Sequence, residues 1–130
     1  MAAPKHIVVA DDDEGVRMIL AEVLSEDGHR VSIVSNGEAL REIVARNDRV
    51  DLVVLDSLMP GEPSTTLSAH LGALRIPVVA ISGHPLRMRS AFERGLQLLE
   101  KPFRVTALEA AIEEAFASGE YGQRKAHTAP

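Results

Sequence analysis

Short apolar runs punctuate the chain, and between them apolar residues return every three or four positions. Ile7-Val8-Val9-Ala10 is β-branched and lacks polar alternation, as expected of a strand covered on both faces. It runs directly into Asp11-Asp12-Asp13-Glu14. Val16, Ile19, Leu20, Val23 and Leu24 then recur at helical spacing, which predicts a helix from near Asp13 to about Asp27-Gly28. Arg30 to Val34 reads as a second strand. Ser35-Asn36-Gly37 supplies a turn and an N-cap, and Ala39, Leu40, Ile43 and Val44 form a second helical stripe. The third strand is Leu52-Val53-Val54-Leu55-Asp56, a buried-strand pattern that stops at one acid before the turn signal Pro60-Gly61.

Ser64-Thr65-Thr66 is positioned to cap a third helix whose buried face would be Leu67, Leu71 and Leu74, although His70 and Gly72 interrupt its stripe. Ile76 to Ile81 reads as a fourth strand, with Pro77 tolerable only near its start. It ends at Ser82-Gly83-His84-Pro85. A short fourth helix over Leu86 to Arg94 closes at Gly95, and Leu96 to Leu99 is a fifth strand ending at Glu100-Lys101-Pro102-Phe103. The final helix carries Val105, Leu108, Ala111, Ile112, Ala115 and Phe116 on one side and Glu109, Glu113 and Glu114 on the other. Residues 119–130 read as a flexible polar tail, leaving 1–118 as the folded domain.

Five strands alternating with five helices imply an α/β fold with a doubly wound parallel sheet. In the flavodoxin-like order 2-1-3-4-5, strands one and three are neighbours at the switch point where ligands bind. That order brings Asp11-Asp12 beside Asp56, with Ser82 and Lys101 arriving from the fourth and fifth strands.

Composition narrows the function classes. A chain of 130 residues, 45% apolar and 25% charged, fits one globular domain. A net charge of −5 gives no general attraction to nucleic acid, and no apolar run approaches the length of a membrane helix. There is no cysteine, hence no disulfide framework or thiolate metal site, which suits the cytoplasm. Neither a signal peptide nor a following DNA-binding domain is expected from the sequence.

Three converging carboxylates repel one another unless a cation intervenes. With only oxygen ligands on offer, that cation is a hard one such as Mg²⁺. A carboxylate beside such a cation can attack a phosphoryl group, with an ammonium and a hydroxyl neutralising the transferring oxygens. Asp56, Lys101 and Ser82 have the right chemistry for those parts. The bland readings are a helix N-terminus rich in acids for Asp11–Glu14 and a plain turn serine for Ser82. In the first case both readings hold, with Asp13 or Glu14 serving the helix.

Val8-Val9-Ala10-Asp11-Asp12-Asp13-Glu14 with Arg17, Leu55-Asp56 with Met59-Pro60-Gly61, Ile81-Ser82-Gly83 and Lys101-Pro102-Phe103 together resemble the receiver domain of two-component response regulators. The resemblance spans about residues 5–118. It implies that Asp56 is the phosphoacceptor and that Asp11, Asp12, Asp56 and the Leu58 backbone carbonyl hold Mg²⁺. It further implies that Ser82 is the switch hydroxyl and that Lys101 binds the phosphoryl group, pairing with Asp56 beforehand. The lysine–proline bond is often cis in this family.

The implied protein is a stand-alone, non-enzymatic phosphoprotein of a two-component system or phosphorelay. It takes its phosphoryl group from a histidine kinase or histidine phosphotransfer protein. It then signals to a protein target through the face formed by the fourth helix, the fifth strand and the final helix, where a homodimer would also form. Neither nucleic acid nor membrane is an expected partner. His84, two residues past Ser82, is either solvated or tunes water access to the acyl phosphate.

The chain also departs from the family. Leu98 stands where an aromatic usually follows the switch hydroxyl, Ser64 replaces a common glycine, and the stretch from Ser82 to Lys101 is about one helical turn short. The rival readings are a phosphorylation-independent interaction module with a vestigial site, which the complete acid–serine–lysine set argues against and the missing aromatic at Leu98 leaves open, and an aspartyl-phosphate phosphatase using Asp11-x-Asp13. The phosphatase reading lacks a cap-sized insertion and leaves Asp56 unexplained.

Overall fold

A computed structural model describes residues 4–46, 49–83 and 97–128 of the chain. Strands β1 (His6–Ala10), β2 (Arg30–Val34), β3 (Leu52–Asp56), β4 (Val78–Ser82) and β5 (Gln97–Glu100) form one parallel sheet in the order β2-β1-β3-β4-β5. Helices α1 (Glu14–Glu26), α2 (Gly37–Ala45), α3 (Ser64–Ala73) and α4 (Val105–Thr128) cover it. The expected helix over 86–94, its closing Gly95, His84 and Leu96 fall outside the described residues.

The three inner strands are buried along their whole length, and their residues split by alternation between two cores. Ile7, Val9, Leu52, Val54, Val79 and Ile81 pack against Leu20 and Leu24 of α1 and Leu108 and Ile112 of α4. Val8, Ala10, Val53, Leu55 and Val78 pack on the other face against Leu40 of α2 and Leu67 and Leu71 of α3. A sheet sandwiched in this way reads as unbroken apolar runs, which is why the strands are conspicuous in the sequence.

Caps fix where the helices begin. The Asp13 carboxylate accepts the Val16 N–H at 3.2 Å, and the Asn36 side chain accepts the Ala39 N–H at 2.8 Å. Asn36→Ala is expected to destabilise the fold by about 1 kcal/mol, read as a lower urea midpoint at unchanged slope.

Several boundaries differ from the sequence reading. Pro63 occupies the N-cap of α3, so Ser64 to Thr66 lie within its first turn and give it no side-chain cap. Proline is suited to a helix entry because its fixed φ needs no donor there. Leu74 is 49% exposed rather than buried, because α3 ends at Ala73 and Arg75 turns away with a φ of 60°. Ser68 is buried in its place, its hydroxyl donating to the Thr65 carbonyl at 3.1 Å. Ile19 and Val105, read as core positions, are exposed at 59% and 44%. β4 begins at Val78, two residues later than expected, after Pro77. Finally, α4 continues to Thr128, where a tail was expected from 119. The apolar stripe stops near Phe116, but the residues beyond include the good helix formers Glu120, Gln123, Arg124, Lys125 and Ala126, and propagating an existing helix is far easier than nucleating one.

Candidate functional site

Alternation carries one row of each of three strands to a charged residue at the carboxyl edge of the sheet. Ile7 and Val9 lead to Asp11, Leu52 and Val54 to Asp56, and Leu99 to Lys101. Because β1 and β3 are adjacent, Asp11 and Asp56 meet at the point where the chain order reverses.

Oxygen atoms of Asp11, Asp12 and Asp56 all lie within 4.8 Å of one another. Asp11 is fully buried, Asp56 nearly so, and Asp12 is exposed at the mouth. Asp11 is held on several sides. Its carboxylate accepts the Asp13 N–H at 2.9 Å, and its carbonyl accepts Arg17 Nη1 at 2.7 Å. The Lys101 ammonium lies 2.9 Å from Asp11 Oδ2 and 3.5 Å from Asp56 Oδ1. Lys101 is thus shared between both carboxylates and sits closer to Asp11, a refinement of the expected pairing with Asp56. The Lys101–Pro102 peptide is cis.

Electrostatics follow from this crowding. Burial, then the neighbouring Asp11 charge, push the Asp56 carboxyl up to about 7, against the lowering effects of Lys101 and the Leu58 backbone N–H. Burial alone would lower the Lys101 pKa. Its hydrogen bond to Asp11 and the charges of both carboxylates outweigh burial and raise it. A strained acid trio beside one fixed ammonium is short of positive charge, and its donors are all hard oxygens. Those residues fit a divalent cation of the Mg²⁺ type, with Asp11, Asp12 and Asp56 as the side chains that would hold it.

Ser82 closes β4 and is fully buried. The Ser57 hydroxyl donates to its Oγ at 2.8 Å, a contact the sequence reading missed. The cause lies in the strand register, which only the structure supplies: Asp56 pairs with Ile81, so the next residues, Ser57 and Ser82, are neighbours. Leu98 is half-buried in β5 and pairs with Ala80. Leu58 is 48% exposed on the loop after Asp56. A second missed feature steadies that loop, since Arg41 of α2 grips Glu62 through two hydrogen bonds of 2.6 Å each. That bond raises the Arg41 pKa and lowers that of Glu62.

Comparison with known proteins agrees with this geometry. Residues 7–113 match the family model of the response regulator receiver domain. The chain is 38% identical over 116 residues to the DNA-binding transcriptional regulator NtrC of Rhizobium meliloti, covering 85% of this chain and 24% of that protein. It is 33% identical over 119 residues to the transcriptional regulatory protein PdtaR of Mycobacterium tuberculosis, covering 88% and 58%. The chain therefore spans about a quarter of the one relative and little over half of the other. A response regulator receiver protein from Sinorhizobium medicae superposes with a TM-score of 0.78 at 26% identity, covering 89% of this chain and 97% of that one. A receiver domain from Clostridium thermocellum shares the fold with a TM-score of 0.79 at 23% identity, covering 90% and 98%. Among the described residues, no helix is long and apolar enough to cross a membrane.

Proposed function

The chain belongs to the response regulator receiver domain family, and we propose that it accepts a phosphoryl group on Asp56 from a phosphohistidine of a partner kinase or phosphotransfer protein. The observation that carries this reading is the meeting of Asp11, Asp12, Asp56 and Lys101 at one edge of the sheet.

An Asp56 carboxylate oxygen attacks the phosphorus, and the phosphorus–nitrogen bond of the donor breaks. The bond's electron pair leaves with the imidazole, giving an acyl phosphate on this chain. The Lys101 ammonium is already oriented by two carboxylates, and it turns from Asp56 to the phosphoryl oxygens as their charge arrives. Asp11 and Asp12 would hold the divalent cation, which when bound would supply charge neutralisation on the transferring group. By family position, the Leu58 carbonyl would offer the cation a further ligand. The Ser82 hydroxyl donates to a phosphoryl oxygen. The chain itself turns over no external substrate.

Output is through protein contacts on the face that includes β5 and α4, to a downstream target or to a second copy. Residues 1–118 form the receiver unit and the setting is cytoplasmic.

The test is intact mass after incubation with Mg²⁺ and acetyl phosphate, beside Asp56→Asn. One added phosphoryl group in the parent alone is the expected result. No adduct there, nor with a panel of phosphorylated kinases, would transfer the reading to a phosphorylation-independent binding module.

A further inference from the structure

We infer that Arg41 and Glu62 are positioning residues whose fork holds the loop after Asp56 in the conformation that a divalent cation needs at the acid trio. This rests on the phosphoacceptor reading of Asp56 and deepens it.

The loop runs from Ser57 to Pro63 and is fixed at both ends. At its start, the Ser57 N–H donates to the Ile81 carbonyl at 2.9 Å, and the Leu58 N–H donates to the Asp56 carboxyl. Met59 packs on the core beneath α2 and α3. At the close of the loop, Pro63 is the N-cap of α3, and its carbonyl accepts the Thr66 and Leu67 N–H groups at 3.1 Å. The chain reverses through Gly61, whose φ of 97° suits glycine. Glu62 joins this turn to a second element, its carboxylate accepting Arg41 Nε and Nη2 at 2.6 Å each.

Arg41 stands one turn beyond Gly37 on α2, so both address the same loop. A Cβ added at Gly37 would lie 3.1 Å from Leu67 Cδ1 and 3.5 Å from Glu62 Cβ. The glycine thus lets the first turn of α2 close on the end of the loop, within reach of the fork. Two parallel charge-assisted bonds fix an angle as well as a distance, which a single ammonium would not. The side chains are 39% and 26% exposed, and ion pairs so open to water add little to global stability. What the fork restrains is local. Leu58 is largely exposed, so packing does little to hold it. Released from Arg41, the stretch from Leu58 to Glu62 gains backbone freedom, and the Leu58 amide no longer orients the Asp56 oxygens. A cation resting on that carboxylate is then held more weakly.

Two measurements on the intact chain test this: amide hydrogen exchange at Leu58 without divalent cations, and Mg²⁺ titration followed by amide chemical shifts. Arg41→Gln and Glu62→Gln are each expected to speed Leu58 exchange about tenfold, while core amides of β1 and β3 keep the parent rate. Both are also expected to weaken Mg²⁺ binding about fivefold, less than for a residue that touches a ligand directly. In the Arg41→Gln background, Glu62→Gln is expected to add nothing. Long-range charge alone predicts opposite signs, since losing the arginine would tighten the cation and losing the glutamate would loosen it. Opposite signs would overturn the inference, as would unchanged Leu58 exchange, unchanged Mg²⁺ affinity or a uniform rise in exchange across the core. If Arg41→Gln fails to fold, Arg41→Lys keeps the charge without the fork and is expected to shift both readouts the same way. A parent with no Mg²⁺ response would instead overturn the cation-assisted phosphoacceptor reading itself.

Discussion

In the absence of divalent cations, the Asp56→Asn chain is expected to be more stable than the parent by about 2 kcal/mol at pH 8. The Asp56 carboxyl is raised from 3.8 to about 7 because burial and Asp11 both oppose its charge. At face value that shift corresponds to about 4 kcal/mol, and solvent reaching the mouth of the site reduces it to roughly half. The pH dependence has a definite sign. A carboxyl whose folded pKa exceeds its unfolded one favours the native state most when it is protonated in both, below about pH 4. That advantage is lost as pH rises through 7, where the folded protein must ionise Asp56 against its surroundings. The parent should lose stability relative to Asp56→Asn across this window, and the two should run parallel above about pH 8. Adding Mg²⁺ should stabilise the parent and narrow the gap, since a ligand of the native state shifts unfolding by mass action. Thermal scans from pH 4 to 8, with and without Mg²⁺, decide the matter. Parallel curves for the two proteins throughout would remove the case for a strained acid at this position.

That strain was legible in the sequence only as a juxtaposition. The strands announce themselves because a doubly covered sheet demands unbroken apolar runs, and Asp11, Asp56 and Lys101 stand out as the charges ending three of them. The two-sided core therefore made the fold and the acid–lysine cluster readable together. Features set by tertiary packing were harder to read. Leu74 and Ile19 carry the periodicity of core residues, yet where a helix ends and how it rolls on the sheet decide which apolar residues are covered. Pro63 displaced the serine and threonines as the start of α3, since backbone φ there outweighed side-chain capping. The Arg41–Glu62 fork joins residues 21 positions apart and has no local signature at all. Ser57 was hidden for a different reason. Its meaning lies in the register of β3 on β4, which two runs of similar apolar residues do not specify.

Lys101→Met is expected to have the opposite effect to Asp56→Asn and a larger one. Methionine keeps the length and apolar stem of lysine but removes the ammonium that lies 2.9 Å from Asp11 and 3.5 Å from Asp56. Asp11 has no exposure to water with which to replace it. Breaking one side of a buried ion pair leaves an uncompensated charge, here costing about 3 kcal/mol in cation-free buffer at pH 8. The loss should shrink toward pH 5. Removing the ammonium takes away a lowering influence on Asp56, so its carboxyl binds a proton more readily and relieves the repulsion with Asp11. Mg²⁺ should restore much of the stability, since any cation held by the acid trio screens Asp11. It should not restore phosphoryl uptake, because the ammonium's separate task is to meet the charge on the transferring oxygens. Uptake from acetyl phosphate is expected to fall by about 100-fold or more even at saturating Mg²⁺. Urea unfolding at pH 5 and pH 8, paired with time-resolved intact mass, reads both effects on one preparation. Equal stability losses at the two pH values would show that Lys101 contributes by packing alone. A Mg²⁺-rescued chain that also recovers its uptake would show that the ammonium and the cation are interchangeable at this site.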